Sequence, residues 1–500
     1  MVIIGAGMAF GFSAVTLPAL KGDETIETPT EYEKAWIASV INLTAPLGCI
    51  ICGWIMDKCG RKPALVCSQV PMIIGWLYTW RATAPKDIIL GRTIAGIGCG
   101  MATSAPRPYI TEITLPNMRA TVGVLITLGI SLGLTIEAAL GSVLKWRILS
   151  LIGGIYSLIF LVANIFLPET PYYVLMTSTM AKARITLQKF RGPNYNINKE
   201  MESLLYFRDM NQIRRLTTKE LFRSLFKPAA CKPFWIVFPY IIFAQFSGIT
   251  ILFFYTIEIL KECRSSVDPH AGNIALGATR SIISILTSII LFKIKRRPLA
   301  ILSALGVAVT CILLSIYLLY STKESVVPQL ALIIYVAFGT IGYYSLPILI
   351  AFELIPLQFR GLLGGIMIAV TNLIMFVCIQ SFPFMKRALT LPYTILLFGI
   401  FSILGAVFIS IVLPETRHLT LYQIEQFYKK PLPTALAPSS AILTSSEYGI
   451  FQTIINVFAK LKRNKTIKDL PNITLQRHFK DSVPNVTKVP TNGPRINEQE

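Results

Sequence analysis

Residues 35–63 read AWIASVINLTAPLGCIICGWIMDKCGRKP, and this stretch decides the fold. Its first part, 35–56, contains no Asp, Glu, Lys or Arg, and it is as long as the roughly 20 apolar residues that a helix needs to cross a bilayer. Four charged residues follow at once, within 57–62. We therefore expect one membrane span that ends in a charged turn.

Runs of similar length recur along the whole chain. Six precede a polar segment and six follow it, at 1–20, 35–56, 64–83, 87–110, 120–143, 148–167, 233–260, 271–292, 298–320, 327–351, 361–385 and 390–413. This pattern predicts twelve transmembrane helices, as an N-terminal bundle (1–167), a cytoplasmic linker with short helices (168–232), a C-terminal bundle (233–413) and a cytoplasmic, mostly disordered tail (414–500).

The composition agrees with a membrane protein. Hydrophobic residues make up 53% of the chain and charged residues 15%, with a mean hydropathy of +0.60. A net charge of +21 could indicate a protein that binds nucleic acid. Such proteins place their cations on a hydrophilic face, and the high apolar content of this chain argues against that class. Lys and Arg are concentrated in every second loop, as in cytoplasmic loops of membrane proteins, so both termini are expected in the cytoplasm.

Short motifs recur in the two halves and indicate an internal duplication. The pairs, at nearly equal spacing, are Glu112-x6-Arg119 with Glu353-x6-Arg360, Leu167-Pro168-Glu169-Thr170 with Leu413-Pro414-Glu415-Thr416, and Lys62-Pro63 with Arg297-Pro298. Two six-helix repeats in the same orientation are a transporter architecture, with the binding site at the interface of the repeats.

These motifs carry a family resemblance. Over roughly residues 1–430 the chain resembles the sugar-porter branch of the major facilitator superfamily, through Gly53-x3-Asp57-x2-Gly60-Arg61-Lys62, Gly91-Arg92-x3-Gly96-x3-Gly100, and the E-x6-R and Pro-Glu-Thr pairs. The start Gly11-Phe12-Ser13-Ala14 is most similar to insect facilitated trehalose transporters and their relatives. The resemblance implies the major facilitator fold and sugar transport.

The resemblance also implies a set of gating charges at the cytoplasmic helix ends. They are Asp57, Arg61, Lys62, Glu112, Arg119, Glu353 and Arg360. The alternative is that these charges are solvated and only fix the topology. The second half departs from the family signature, because Phe292-Lys293-Ile294-Lys295-Arg296-Arg297-Pro298 lacks its acid and its glycine. We therefore expect a weaker or differently built clamp there.

A sugar site needs amide and hydroxyl groups with an aromatic wall. The resemblance implies Thr127, Gln245, Thr250, Tyr255 and Asn372 as substrate-binding residues. The alternative for Gln245 and Asn372 is hydrogen bonding between helices. Ala244 stands in place of a family glutamine, and Gly342-Tyr343-Tyr344-Ser345-Leu346-Pro347-Ile348 lacks the family's tryptophan.

Ionisable residues inside spans usually face a cavity or a partner. Arg92 and Glu137 lie at similar depth in spans 4 and 5, so we expect a structural pair. Proton-driven relatives pair such an arginine with an Asp on span 1, but here Ser13 occupies that place, which favours facilitated transport. Arg280, near the middle of span 8, could bind a sugar, attract an anion or pair with an acid.

The leading hypothesis is a plasma-membrane, multi-pass uniporter of trehalose or a hexose, whose partners are a small neutral sugar and membrane lipids. A transporter of an organic anion or another polar metabolite, and a non-transporting sugar sensor, remain as alternatives. We expect no cofactor, metal or enzymatic activity, because the three histidines are scattered, and neither a phosphate-binding loop nor a nucleophile–base set occurs in the sequence. The sequence leaves the oligomeric state open.

Overall fold

The computed structural model describes residues 1–114, 119–192, 195–198, 200–202, 204–205, 228–321, 323–355 and 360–415. All of them belong to one compact unit, Met1–Thr444. This described part is almost entirely helical, with a single isolated bridge between Ser265 and Ser325 as its β structure. The all-α prediction is confirmed.

Seven helices form the first half of the chain, and two short ones follow it. They are α1 (Val2–Ala19), α2 (Glu31–Lys58), α3 (Arg61–Trp80), α4 (Pro85–Ser104), α5 (Pro106–Ile113), α6 (Arg119–Gly141), α7 (Trp146–Ile165), α8 (Pro171–Thr177) and α9 (Met180–Arg191). The α4–α5 pair makes one span, Pro85–Ile113, whose two helices are separated by Ala105. Apolar residues of α8 and α9 form a small core of their own around Leu175 and Leu187.

The second half contains broken helices. Its elements are α10 (Pro228–Phe246), α11 (Ile249–Glu262), α12 (Pro269–Lys293), α13 (Arg296–Tyr320), α14 (Val327–Gly339), a π-helical turn (Thr340–Tyr344), α15 (Leu346–Leu354) and α16 (Arg360–Val412). Two elements each make one span with their successors, α10 with α11 and α14 with α15. The 53-residue α16 contains two spans, because the backbone is non-helical at Thr390, where φ is 62°.

Nine helices of the described chain are long and apolar enough to cross a membrane. The remaining three spans come from α3, from α6 with its apolar stretch Ile126–Gly141, and from the division of α16 at Thr390. The twelve predicted spans are therefore present. The predicted limits differ most at span 7, which begins at Pro228 rather than 233, and at span 11, which continues to the break at Thr390.

Local sequence sets the helix ends. Thr30 and Glu33 form a capping box at the start of α2, and Asp268 accepts a hydrogen bond from the Ala271 N–H at the start of α12. Gly60 separates α2 from α3 with a φ of 109°, a conformation that side chains other than glycine resist.

Small residues let the helices of the first half approach closely. A Cβ atom added to Gly48 of α2 would overlap the Ile97 carbonyl of α4, and one added to Gly100 of α4 would overlap the Ala45 carbonyl of α2. In membranes, helices associate by such close backbone packing, since apolar burial gives no drive there. The glycine series of α4 is therefore a packing motif.

The two halves meet along three helix pairs, α1 with α11, α2 with α16, and α6 with α12. Away from this seam, large apolar side chains such as Ile50, Ile159 and Leu313 are exposed. In a membrane-spanning chain that surface faces lipid. We call the end of the bundle where α1 begins the N-terminal face, and the other end the opposite face.

Candidate substrate site and gating contacts

The turn between α2 and α3 on the N-terminal face is held by the carboxylate of Glu169. The backbone N–H of Arg61 donates to Glu169 Oε1 at 3.1 Å, and the N–H of Lys62 donates to Oε2 at 3.1 Å. These are the first N–H groups of α3, which no carbonyl within the helix can accept. An anion at a helix N-terminus is also favoured by the helix dipole. Glu169 therefore caps α3 from a distant part of the chain.

The Arg61 side chain forms an ion pair with Glu112 of α5. Its Nε and Nη2 lie 3.0 and 2.9 Å from Glu112 Oε1, and Nη1 donates to the Met56 carbonyl. The second carboxylate oxygen of Glu112 accepts from Thr170 Oγ1 at 2.6 Å. Both partners of the ion pair are largely buried. The contacts join the ends of α3 and α5 to the segment that precedes α8.

The second half repeats these contacts. The backbone N–H groups of Arg296 and Arg297 donate to the two oxygens of Glu415 at 3.0 and 3.1 Å. Arg296 Nη2 lies 3.3 Å from Glu353 Oε1, and its Nη1 donates to the Leu291 carbonyl.

The second half therefore keeps the same arrangement of contacts although it lacks the acid and the glycine of the family signature. This arrangement depends on a helix N-terminus and two carboxylates. Its Arg–Glu contact is longer than in the first half, 3.3 Å against 2.9 Å.

The other predicted gating residues are placed as follows. Asp57 is exposed and forms no ion pair within the described ranges, and the Lys62 side chain is half-buried, also without an ion pair there. The side chains of Arg119 and Arg360 lie outside the described residues. Sequence reasoning missed Arg296, Glu169 and Glu415 as clamp residues. The repeated Pro-Glu-Thr motif was the signal, but it served only as a mark of duplication.

Gln245 and Thr250 meet where span 7 is broken. Gly248, between α10 and α11, has a φ of 84°, and the ring of Phe398 fills the space where a side chain would start. Across this break Thr250 Oγ1 donates to Gln245 Oε1 at 2.6 Å. Two predicted substrate residues are thus joined to each other in this structure.

Asn372 and Thr127 are half-buried on opposite sides of the seam. Asn372 Nδ2 donates to the Ile368 carbonyl at 2.8 Å, within its own helix, so this bond does not join two helices. Thr127 lies one turn before Ser131, whose hydroxyl is 3.1 Å from Ser284 Oγ of α12. A second hydroxyl pair, Thr135 with Ser281 at 3.0 Å, continues this contact between α6 and α12.

Aromatic contacts lie both within the second half and across the seam. Within the second half, Tyr255 of α11 packs on Phe382 of α16 with ring centroids 4.9 Å apart, and the backbone at Tyr255 departs from helical geometry. Between the halves, Phe10 packs on Phe254 at 6.1 Å. Further hydrogen-bonding and ring contacts between α2 and α16 are Ser39 Oγ to Gln380 Oε1 at 2.6 Å and Trp36 to Phe376 at 5.8 Å.

Arg92 and Glu137 are both fully buried and interact electrostatically, but no ion pair of at most 4.0 Å joins them among the described residues. The expected structural pair stays a prediction. Arg92 turns towards α1, donates to the Ala9 carbonyl at 3.3 Å and lies over the Phe12 ring. Glu137 packs beside Gly11, and neither of its oxygens has a hydrogen-bond partner among the described residues. Each side chain therefore contacts its own part of α1.

Arg280 lies in the seam and is 1% exposed. Its guanidinium carbon is 3.9 Å from the ring centroid of Phe253 and 3.8 Å from that of Tyr344. It lines a small cavity between the halves, together with Gly11 and Leu134 of the first half and Thr256 and Asn273 of the second. No carboxylate lies within 4.0 Å of it in the described parts of the chain.

Outside the spans, a loop on the opposite face is ordered around Asp23. Its Oδ1 accepts from the N–H and the hydroxyl of Thr25, and its Oδ2 accepts from Trp146 Nε1 at 2.7 Å. The hydrogen bonds from Thr25 hold the pKa of the Asp23 carboxyl below its ordinary value. Arg147 Nη2 donates to the hydroxyl of Thr25, and the positive charge of Arg147 also lowers the pKa of the Asp23 carboxyl.

Comparison with known proteins agrees with this architecture. The sequence model of the family described as "Sugar (and other) transporter" matches residues 6–428. The facilitated trehalose transporter Tret1 of Apis mellifera ligustica is 28% identical over 439 residues, covering 86% of this chain and 87% of that protein. Its Bombyx mori counterpart is 28% identical over 426 residues, covering 84% of each.

Solved structures support the fold alone, since their identity to this chain is low. The major facilitator proton:xylose symporter XylE bound to 6-bromo-6-deoxy-D-glucose has a TM-score of 0.69 at 21% identity, covering 86% of this chain and 98% of that one. An inward open conformation of XylE from E. coli has a TM-score of 0.68 at 20% identity, covering 85% and 98%. With twelve spans, duplicated clamps and a family match across most of its length, the chain belongs to the sugar (and other) transporter family.

Proposed function

We propose that the chain is a facilitative transporter that moves trehalose or a related hexose down its gradient by alternating access. The observation that carries the proposal is the polar, uncharged character of the break in span 7, where Gln245 and Thr250 bind each other at 2.6 Å. Amide and hydroxyl groups can exchange such a bond for bonds to sugar hydroxyls. The relatives described as facilitated trehalose transporters support the same substrate class.

The contacts between the halves suit a rocking motion about the seam. They consist of hydroxyl pairs, such as Ser131 with Ser284, and of aromatic packing, such as Phe10 on Phe254. Neutral contacts of this kind are weak enough to be made and broken in each cycle. The ion pairs Arg61–Glu112 and Arg296–Glu353 each lie within one half. In this proposal they control gating by keeping each half rigid while it moves.

Uniport is favoured by Ser13 of α1. A serine does not exchange a proton near neutral pH, and Ser13 is buried with no hydrogen-bond partner for its hydroxyl among the described residues. Arg92 donates to the Ala9 carbonyl of α1, and no ion pair of at most 4.0 Å joins it to an acid among the described residues. The driving force is then the sugar gradient itself.

The proposed setting is the plasma membrane with both termini in the cytoplasm. Basic residues of the N-terminal face, such as Lys58 and Lys182, support this orientation. The division into bundles at 1–167 and 233–413, with a linker at 168–232 that contacts membrane lipids and a tail at 414–500, belongs to the same proposal.

Uptake into proteoliposomes tests this function. Radiolabelled trehalose and glucose should accumulate to equilibrium and no further, and unlabelled sugar should compete. At constant pH a protonophore should leave the initial rate unchanged; a loss of uptake would show proton coupling. Specific binding without uptake would instead identify a sugar sensor.

A further inference from the structure

The surroundings of Arg280 differ from those of two other arginines of the described spans. The buried Arg92 and the half-buried Arg107 each lie over one ring, at 5.6 and 5.8 Å from its centroid. Arg280 lies between two rings, those of Phe253 and Tyr344, at 3.9 and 3.8 Å. Both faces of the guanidinium are therefore covered, and its N–H donors point outward along the edge of the plane.

That edge is not fully used by the protein. Arg280 Nε is buried and has no hydrogen-bond partner within the described ranges. The cavity that Arg280 lines reaches Thr256 and Asn273 in its own half and Gly11 and Leu134 across the seam. In this structure the cavity has a volume of about 10 Å³, the space of a single water molecule, so a sugar can enter it only when the halves separate. A molecule bound there would touch both halves, as the substrate of an alternating-access transporter must.

The charge of Arg280 is also without a matching acid. No Asp or Glu oxygen lies within 4.0 Å of it in the described part of the chain. Stacking on aromatic rings attracts a cation, and the Tyr344 side chain also hydrogen-bonds to the guanidinium, but neither neutral group balances the charge. A buried charge of this kind is costly unless a counter-charge and hydrogen bonds reach it.

A carboxylate fits this edge best. Arginine binds carboxylates with two parallel N–H···O bonds in the guanidinium plane, which is the one direction that the two rings leave open. One arginine balances one negative charge, whereas a phosphate monoester carries nearly two. Asn273 and Thr256 add an amide and a hydroxyl to the cavity lining, which suit the hydroxyls of a sugar.

We propose that the central site takes a sugar acid, a monosaccharide-sized substrate with one carboxylate that binds Arg280. The inference rests on the proposed transport function and narrows its substrate class. Neutral sugars use the same cavity, and the acid group adds binding at Arg280.

Competition in proteoliposomes tests the proposal. The measured quantity is the initial rate at which the wild-type protein takes up labelled glucose or labelled glucuronate. Each rate is measured with unlabelled glucose, glucuronate or glucose 6-phosphate as competitor. We expect glucuronate to be the strongest competitor. In Arg280→Gln its inhibition constant should rise about 10- to 100-fold, the range for hydrogen bonds to a charged group, and the inhibition constant of glucose should rise less. Arg81→Gln removes an exposed positive charge at the opposite end of α3 and should leave both sugars unaffected.

The possible outcomes separate the two proposals. Glucose uptake without any competition by glucuronate overturns the inference and leaves sugar transport intact. Neither uptake nor binding of any sugar overturns the proposed function itself. Stronger competition by glucose 6-phosphate than by glucuronate overturns the assignment to a carboxylate.

If Arg280→Gln loses uptake of both sugars, Arg280→Lys distinguishes anion binding from a structural role. A Lys variant that still prefers glucuronate supports anion binding. Equal loss for both sugars shows that Arg280 only supports the fold.

Discussion

The two Arg–Glu clamps should differ in strength, and a pair of double-mutant cycles can measure the difference. The first cycle combines Arg61→Gln with Glu112→Gln, and the second combines Arg296→Gln with Glu353→Gln. Glutamine removes the charge and stays polar in both cases; it matches glutamate in length and is shorter than arginine. The measured quantity is the coupling free energy, which excludes effects that each single substitution has by itself.

The expected values follow from the geometry. Arg61 approaches Glu112 with two nitrogens, at 3.0 and 2.9 Å, and the side chains are only 15% and 17% exposed. Hydrogen bonds to charged groups contribute about 1.5–3 kcal/mol when they are well formed, so we expect a coupling of about 2 kcal/mol. Arg296 lies 3.3 Å from Glu353, which is 24% exposed. Its coupling should be closer to the value of about 1 kcal/mol for exposed pairs.

Unfolding of the purified protein in mixed micelles, followed by tryptophan fluorescence, gives the free energy of unfolding of each variant. Uptake measured in parallel shows which variants remain functional. A coupling free energy near zero for Arg61 with Glu112 would refute the reasoning, since the ion pair would then contribute nothing to stability. A second-half coupling equal to or larger than the first would refute the link between distance, exposure and strength.

Three further predictions concern the ends and contacts of the helices. Glu169→Gln removes the charge that caps α3, and Glu415→Gln does the same for α13; each should lower the free energy of unfolding by about 1–2 kcal/mol, and unchanged unfolding curves would contradict the capping role. Gly48→Ala should lower the free energy of unfolding by about 1–3 kcal/mol through overlap with α4, whereas Gly53→Ala, whose added Cβ meets no atom within 4 Å, should leave the melting temperature unchanged or raise it. Acidification should destabilise the 20–30 loop, because the pKa of Asp23 is lower in the folded state than in the unfolded state. Its contribution to stability is present above the unfolded pKa and is lost as the pH falls through the folded pKa. Asp23→Asn should remove this step from the pH dependence of the melting temperature, and a step that persists would assign it to another group.

The sequence predicted the spans well, because the requirement for apolar residues acts on each helix separately. It predicted contacts between helices less well. Arg92 and Glu137 interact electrostatically, but position along a helix does not fix the direction of a side chain: Arg92 donates to the Ala9 carbonyl of α1, and Glu137 packs beside Gly11 of α1. The sequence marks Glu169 only as part of a repeated motif, since its contact with α3 depends on where the N-terminus of that helix lies in space.

Loss of a motif was also a poor guide to loss of a contact. The second half lacks the acid and the glycine of the charged turn, yet Arg296 reaches Glu353 and the Arg296 N–H reaches Glu415. Backbone N–H groups exist whatever the side chains are, so a helix start can keep its carboxylate cap when neighbouring residues change. For Arg280 sequence reasoning leaves three alternatives, because its two stacked rings come from different spans.

One of those rings depends on the π-helical turn at Thr340–Tyr344. A π-turn holds one residue more than an α-turn, and here it directs two consecutive tyrosines differently. Tyr343 donates to the Ser402 carbonyl within the second half, while Tyr344 stacks on Arg280. If the extra residue were absorbed into a regular α-helix, Tyr344 would swing by about 100° around the helix axis and uncover one face of the guanidinium. A change of twist within a single turn would then change how Arg280 contacts a bound molecule, with little displacement of the rest of the span.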